Sequence, residues 1–172
     1  MTEGGIGGES GATRGIAGRA ARDSSKAGKA HPVGGSVFTG RHERQLDPKG
    51  RLALPAPYRP RFEPACFLAF GSDGCIEVWT RELFEETAKE ATEKMKRGEI
   101  SREAWRATAH NALEVAVDGQ GRVNVERALR DYAGLELDSK VVVAGSYDRV
   151  EIWNAAAYDA MNTRGTAELK GS

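Results

Sequence analysis

The sequence predicts an α+β fold in which one unit of short β-strands and short helices occurs twice. Two blocks recur in the same order: ERQLDPKGRLALPAPYR at 43–59 aligns on EVAVDGQGRVNVERALR at 114–130, and FLAFGSDGCIEVW at 67–79 aligns on VVVAGSYDRVEIW at 141–153. Self-similarity of this kind is the signature of a repeated structural unit. With 172 residues, the chain is long enough for one ordinary domain or two very small ones.

Each unit is expected to open with two strands joined by a tight turn. Alternating apolar residues indicate the strand after the turn, at Leu52 and Leu54 in the first unit and at Val123 and Val125 in the second. In the first unit the turn is DPKG, which fits a type I turn, with Asp first to accept backbone N–H groups, Pro second and Gly fourth. The residues predicted to form the two loops are Asp47, Gly50, Asp118 and Gly121.

After its second strand, each unit is expected to continue with a short helix, a hairpin and a closing helix. Three prolines between residues 55 and 60 restrict the first short helix to about one turn, whereas its counterpart is predicted to stop at Gly134. The hairpins are expected to turn at GSDG and GSYD. Thr80 and Asn154 have the side chains of N-cap residues for the two closing helices.

The expected organisation of the chain has five parts. They are a disordered Gly-, Ala- and Arg-rich arm at 1–36, a first repeat at 37–84, a helical connector at 85–110, a second repeat at 111–157 and a C-terminal tail at 158–172. The arm has too few aliphatic residues to offset the cost of ordering its backbone. In the connector a helical turn or two is expected around Trp105, and residues 164–172 are expected to fray.

The composition excludes several classes of protein. Lys and Arg number 25 and Asp and Glu also number 25, so any electrostatic partner must be bound by a local patch. No apolar run approaches the roughly 18 residues of a membrane span, and the N-terminus lacks the pattern of a secretory signal, which favours a cytosolic protein. Cys66 and Cys75 lack the spacing of a zinc site and are expected to be reduced, apolar residues of a strand pair.

The segment around the first turn is locally basic. Between residues 37 and 62 the charged residues are Arg41, Arg44, Lys49, Arg51, Arg59 and Arg61 against Glu43 and Asp47. Such a patch can bind phosphates, and arginine can also bind guanine edges. A turn does not require the arginine that follows it, so Arg51 and Arg122 either pair back onto the turn aspartate or project outward.

These features resemble the MraZ family of transcriptional regulators. The resemblance rests on VFTGRHERQLDPKGRLALP, on the two Asp-x-x-x-Arg motifs and on the paired hairpins that end in CIEVW and VEIW, and it covers about residues 37–162. It implies two SpoVT-AbrB-like swapped-hairpin repeats per chain, forming a β-barrel with short helices. It further implies that several chains assemble into a closed ring.

The resemblance also implies a function. The expected protein is a sequence-specific DNA-binding regulator of the division and cell-wall gene cluster that binds short direct repeats upstream of its own operon. It is expected to be a cytoplasmic, nucleoid-associated homo-oligomer with no cofactor, metal site or enzymatic activity. Within the family the Asp-x-x-x-Arg loops lie on the DNA-binding face. The DNA contacts implied for this chain are Lys49, Arg51, Gln120 and Arg122, with Arg41 and Arg44 as weaker additions.

Two departures from the family pattern bear on these expectations. The second loop is less basic than the first, because Gln120 replaces Lys49 and Glu126 replaces Pro55, so the first loop is expected to contribute more to DNA binding. Family members typically begin Met-Phe-x-Gly, whereas here Val37 begins the matching Val-Phe-Thr-Gly segment after 36 residues. We therefore expect Val37 to be the native start.

Two other functions are open to this sequence. A small hydrolase or transferase would need His42, His110 or a carboxylate as a base, but neither histidine has a counterpart in the other repeat. Signatures of a nucleophile elbow or a phosphate loop are also missing from the sequence. The second alternative is a non-DNA-binding structural ring or protein-interaction module that makes contacts through the Glu- and Lys-rich helix predicted at 81–97.

Overall fold

The computed structural model describes residues 37–171, so the expected disorder of the arm at 1–36 lies outside the described residues. Within them, thirteen elements follow one another in the chain. They are β1 (Arg41–Leu46), β2 (Arg51–Ala53), α1 (Arg59–Phe62), β3 (Ala65–Phe70), β4 (Ile76–Trp79), α2 (Arg81–Lys96), α3 (Arg102–His110), β5 (Ala112–Ala116), β6 (Arg122–Asn124), α4 (Arg127–Ala133), β7 (Ser139–Ser146), β8 (Arg149–Asn154) and α5 (Ala155–Lys170).

The eight strands form one antiparallel sheet that curls into a nearly closed barrel. Their order is β5-β3-β4-β8-β7-β1-β2-β6, and the two edge strands, β5 and β6, contact each other. Closure removes exposed strand edges, which otherwise pair with other chains. The expectation of a mixed α+β barrel with short helices is confirmed.

The strands of the two repeats are interleaved in this barrel. β1 of the first repeat pairs with β7 of the second, and β5 of the second pairs with β3 of the first. The counterpart strands β2 and β6 pair with each other, as do β4 and β8. In these pairs Leu52 lies opposite Val123, its counterpart in the duplication, and Glu77 lies opposite Glu151. An approximate two-fold axis therefore relates the two repeats.

The interior of the barrel is a single apolar cluster to which both repeats contribute. Its fully buried side chains include Leu46, Leu52, Leu54, Phe62, Leu68, Ile76, Leu129 and Ile152. A second cluster forms where α5 packs on the outside of the sheet and brings Tyr158 against Trp153 and Val142. The packing explains why a sheet of short strands is stable, because most strands have apolar residues on at least one covered face.

The two matching tryptophans lie on β4 and β8, the strands that pair with each other at the junction between the repeats. We predict from the sequence that Trp79 and Trp153 make apolar contacts near a repeat or subunit junction, and their exposures of 7% and 3% confirm that they are buried there. Each indole Nε1 donates to the glutamate two residues earlier, Glu77 at 3.1 Å and Glu151 at 3.0 Å. The hydrogen bonds satisfy the only polar atom of each ring.

The helices α2 and α5 begin at the cap residues predicted from the sequence, but α5 ends later than predicted. Thr80 and Asn154 cap α2 and α5 through their side chains, and α4 ends at Gly134, whose φ of 61° is left-handed, as predicted. The prediction that residues 164–172 fray is wrong, since α5 continues to Lys170. The helix α5 as a whole is rich in alanine, and its single internal glycine, Gly165, costs only about 1 kcal/mol.

The connector between the repeats is a pair of helices without buried residues. α2 and α3 contact each other, and the Nε1 of Trp105 donates to the hydroxyl of Thr92 at 3.1 Å. Neither helix has a buried residue, although Phe84 stacks on Phe67 of β3 with ring centroids 4.1 Å apart. None of the helices between residues 37 and 171 is long and apolar enough to cross a membrane.

Candidate nucleic-acid interface

The first Asp-x-x-x-Arg loop joins β1 to β2 and is organised by its aspartate. Oδ1 of Asp47 accepts the backbone N–H groups of Lys49 and Arg51, both at 2.8 Å. The carbonyl of Asp47 accepts the N–H of Gly50 at 3.0 Å, and Gly50 has a φ of +78°, which favours glycine. The side chain of Lys49 is therefore left at the tip of a turn whose backbone donors are satisfied.

The second loop, between β5 and β6, repeats this geometry. Oδ1 of Asp118 accepts the N–H groups of Gln120 and Arg122, both at 2.9 Å. Its carbonyl accepts the N–H of Gly121 at 2.8 Å, and the φ of Gly121 is +74°. Since the two sequences share only Asp, Gly and Arg, these residues account for the common geometry.

Both arginines pair back onto the aspartate of their own loop. Nε of Arg51 donates to Oδ2 of Asp47 at 2.7 Å, and Nε of Arg122 donates to Oδ2 of Asp118 at 2.8 Å. Of the two alternatives that the sequence leaves open, the structure has the first. The bond engages Nε alone, so the two terminal nitrogens of each guanidinium have no hydrogen bond among the described residues and remain available to a ligand.

The hydrogen bonds also hold the two aspartates in their charged form. The backbone N–H of Arg122, followed by its guanidinium, lowers the pKa of Asp118 to about 2. The pKa of Asp47 is lowered in the same way, with the backbone N–H of Arg51 as the largest cause. Each aspartate therefore accepts hydrogen bonds from its own loop. The positive charge that the first loop presents to a ligand comes from Lys49 and from the terminal guanidinium nitrogens of Arg51.

The two loops lie at opposite ends of a two-stranded ribbon. β2 and β6 are antiparallel, with Arg51 opposite Asn124 and Ala53 opposite Arg122. These four side chains are on the face of the ribbon that points away from the buried Leu52 and Val123, because side chains alternate along a strand. The barrel therefore presents both loop arginines on one outer face, related by the approximate two-fold axis.

Each loop also contacts the opposite repeat. The carbonyl of Gly50 accepts the N–H of Val125 at 2.8 Å, and the carbonyl of Gly121 accepts the N–H of Leu54 at 2.9 Å. Arg130 of α4 lies beside Gly50, and Arg59 of α1 lies against Gly121. From the sequence, Arg59 is expected only as part of the basic segment and Arg130 has no expected role, although their alignment with each other in the duplication is a signal that could have paired them.

The two weaker candidates, Arg41 and Arg44, lie on different faces of β1. Arg44 is opposite Val141, whose side chain is in the core, and its Nη1 donates to the carbonyl of Glu43 at 2.9 Å. Arg41 is opposite Ala144 on the outer face, and its guanidinium carbon is 6.0 Å from the ring centroid of Tyr158 in α5. The structure thus does not bring these two side chains to one surface.

The residues considered for catalysis or metal binding are His42, His110, Cys66 and Cys75. His42 packs edge-on against Tyr58 with ring centroids 5.2 Å apart, and His110 is the last residue of α3. Both cysteines are free and buried, and burial raises the pKa of each thiol to about 12. Over residues 37–171, no group of three or more His, Cys, Asp or Glu side chains is arranged to hold a metal ion.

Comparisons with known proteins agree on one family. A family model described as "MraZ protein, putative antitoxin-like" matches residues 37–104 and 109–169. A protein of Nocardioides sp. named "Transcriptional regulator MraZ" is 41% identical over 119 residues, which are 68% of this chain and 80% of that protein. Proteins of the same name from Clavibacter michiganensis and Corynebacterium diphtheriae are 38% and 39% identical, over 72% of this chain and 85% of each relative.

Proposed function

The chain belongs to the MraZ family, and from this premise we propose that it is a DNA-binding regulator of transcription. The relatives are named transcriptional regulators, and the two halves of this chain match the family model separately. The proposed role is that of a sequence-specific regulator of the division and cell-wall gene cluster, which binds short direct repeats upstream of its own operon. It acts without enzymatic activity, in the cytoplasm and at the nucleoid.

The observation that carries this proposal is the repeated loop geometry. Two copies of one aspartate-organised turn flank a single β-ribbon, and their arginines share its outer face. The major groove of B-DNA is wide enough to admit a two-stranded β-ribbon. The turn itself does not require the arginine that recurs in both loops, and the terminal nitrogens of both arginines, free of hydrogen bonds within the described residues, favour a shared ligand.

The loop residues have distinct roles in the proposed complex. Arg51 and Arg122 offer terminal guanidinium nitrogens, which suit the O6 and N7 acceptors of guanine or a phosphate. Lys49 is placed at a loop tip to contact a phosphate, whereas Gln120 at the equivalent tip offers an amide without charge. The first loop therefore contributes more of the salt-dependent affinity. Arg41, on the outer face of β1, is a secondary candidate, and Arg44 on the other face is a weaker one.

One chain offers few phosphate contacts, so tight binding needs several chains side by side. We propose that the protein is a homo-oligomer, in the form of a ring, that presents the ribbon of each chain to successive direct repeats. Linking several weak sites raises their joint affinity by orders of magnitude without any new contact. The domain boundaries proposed for this arrangement are a first repeat at 37–84, a connector at 85–110 and a second repeat at 111–157.

The test is binding to the DNA upstream of the protein's own gene across a series of salt concentrations, with scrambled DNA of the same length for comparison. The wild-type protein is expected to prefer its own sequence, with an affinity that falls steeply with salt. Arg51→Ala is expected to lose about 1–3 kcal/mol of binding free energy and part of the sequence preference.

Arg97→Ala is the matched control, because it removes the same charge from the end of α2, where Arg97 pairs with Glu99. It is expected to leave binding close to that of the wild type. If the wild-type protein shows no preference for its own upstream DNA at low salt, the proposal is wrong and a structural or protein-interaction role through α2 becomes the better explanation.

A further inference from the structure

The carbonyl groups of the two loop glycines are bound by the opposite repeat. Gly50 of the first loop accepts from Val125, which follows β6, and Gly121 of the second loop accepts from Leu54, which follows β2. Both bonds connect the two strands and extend the pairing of β2 with β6 by one residue past each end. The orientation of each loop thus depends on a strand of the other repeat.

Arg59 completes this contact at the second loop. Its Nε donates to the carbonyl of Leu54 at 2.7 Å, and the N–H of Leu54 donates to Gly121 at 2.9 Å. A Cβ added to Gly121 would be only 2.4 Å from Cδ of Arg59 and 2.8 Å from its Cζ. The arginine side chain therefore lies directly on the backbone of a loop that is 62 residues later in the chain.

Arg130 occupies the equivalent place at the first loop. Its Nε lies 3.6 Å from the position of a Cβ on Gly50. The same nitrogen is buried and has no hydrogen-bond partner among the described residues, whereas Nε of Arg59 has one. A buried donor without a partner is costly, and Val125, which binds the first loop, does not accept from Arg130 the bond that Leu54 accepts from Arg59.

We propose that Arg59 and Arg130 are positioning residues, each of which orients the DNA-contacting loop of the opposite repeat. This inference rests on the proposed function of the loops but adds an assignment that crosses between the repeats. Arg59 acts on Arg122 and Gln120, and Arg130 acts on Arg51 and Lys49. The missing hydrogen bond between Arg130 and Val125 weakens the support of the first loop, which is the more basic of the two, and leaves it the freer to adjust on DNA.

The crossed assignment is first tested on the free protein, by amide hydrogen exchange. Arg59→Met keeps an unbranched stem of similar size but loses the donor. It is expected to raise exchange at Leu54, Gln120 and Arg122 by about tenfold, the equivalent of losing about 1.4 kcal/mol of local stability. Arg130→Met removes a charged side chain whose Nε has no hydrogen-bond partner within residues 37–171, so it is expected to change exchange at Lys49, Arg51 and Val125 instead, and by a smaller factor.

Arg127→Met is the matched control for charge, since Arg127 is in the same helix as Arg130 and its side chain is 86% exposed. It is expected to leave exchange at both loops unchanged. If Arg59→Met does not fold, Arg59→Lys keeps the charge and most of the stem, and it is expected to change the same amides less. Unchanged exchange at 118–122 in a folded Arg59 variant, or a change confined to 47–51, would overturn the proposal.

The second test is a pair of double-mutant cycles on DNA binding. Arg59→Met combined with Arg122→Ala is expected to be non-additive by about threefold to tenfold in Kd, whereas its combination with Arg51→Ala is expected to be additive. Arg130→Met is expected to show the opposite pattern. Additivity in all four combinations would overturn the proposal even if DNA binding itself is confirmed. Loss of DNA binding altogether, with the exchange pattern intact, would instead contradict the proposed function alone.

Discussion

At the scale of single residues, Gly121 is required both for its backbone conformation and for the space it leaves. Its φ of +74° is unfavourable for L-amino acids, and Arg59 fills the place where a Cβ would be. We expect Gly121→Ala to lower the free energy of unfolding by more than the roughly 1–2 kcal/mol that a left-handed conformation costs. Chemical denaturation measures this loss, and the displaced Arg59 accounts for the part above the conformational cost.

Two other glycines separate the causes of that loss. Gly74 has a similar φ of +77° but nothing within 4 Å of its added Cβ, so Gly74→Ala measures the conformational cost alone. Gly119 lies in the same loop as Gly121, with neither a positive φ nor a neighbour within 4 Å, and Gly119→Ala should be close to neutral. If Gly121→Ala costs no more than Gly74→Ala, Arg59 moves away freely and does not hold the loop.

The ionisation of Asp118 gives a second residue-scale prediction. Hydrogen bonds from Arg122 lower its pKa from 3.8 to about 2, so the charged form stabilises the loop. That contribution is complete above about pH 4, and it is lost as the pH falls through about 2. In an NMR titration of side-chain carboxyl carbons, the signal of Asp118 should have its midpoint near pH 2.

A variant of Arg122 identifies the source of this shift. Arg122→Gln removes the guanidinium but keeps the backbone N–H, which is the largest cause of the lowered pKa. The midpoint of Asp118 should therefore rise only part of the way towards its ordinary value. A midpoint near 4 in the wild-type protein would mean that the loop is open in solution.

At the scale of elements, Asn154 links two helices. Its Oδ1 accepts the N–H groups of Ala156 and Ala157 at the start of α5, and its Nδ2 donates to the carbonyl of Gly134 at the end of α4. We expect Asn154→Ala to lower the free energy of unfolding by about 1–2 kcal/mol, since it removes a cap and the partner of a helix-end carbonyl. Thermal or chemical unfolding measures the loss.

The control for Asn154 lies in the same helix. Asn162 is exposed in the interior of α5, where alanine is the better helix former. Asn162→Ala should be neutral or slightly stabilising. Equal losses for the two variants would show that the side-chain bonds of Asn154 contribute nothing beyond helix propensity.

Elements governed by local chemistry are those that the sequence predicts well. The turn at Asp47, the caps at Thr80 and Asn154 and the stop at Gly134 each depend on residues within a few positions of one another. The pairing of β1 with β7 and of β3 with β5 joins segments far apart in the chain. Alternating apolar residues mark a strand but do not identify its partner, so only the family resemblance, and not the pattern, implied exchanged strands.

The same distinction holds for the candidate site. The sequence predicts the loops and their arginines, because the Asp-x-x-x-Arg motif is contiguous. It leaves open whether Arg51 binds its own aspartate, which depends on the rotamer of a long side chain. It does not reveal that Arg59 contacts Gly121, since this contact exists only after β2 pairs with β6.

At the scale of the whole molecule, neither repeat is a complete folding unit. β1, β3 and β4 of the first repeat each pair with a strand of the second, and the apolar cluster inside the barrel includes Leu68 and Ile152 from different repeats. A repeat on its own would expose one face of its strands and several unpaired edges. The unfolding of the described barrel should therefore be a single cooperative transition.

A chain cut between Gly98 and Glu99 tests this interdependence. The cut falls in the exposed turn between α2 and α3 and leaves every strand intact. Each half alone is expected to lack a cooperative unfolding transition as a monomer, because its strands have lost their partners. Mixing the halves should restore the near-ultraviolet circular dichroism of Trp79, because the guanidinium of Arg149 from the other half lies over its ring. Trp153 is the less sensitive reporter, since it packs on Val142 and Tyr158 of its own half. If either half unfolds cooperatively as a monomer, the repeat in that half is an independent domain. The contacts of Arg59 and Arg130 with the opposite loops would then form after the repeats have folded and would not contribute to their folding.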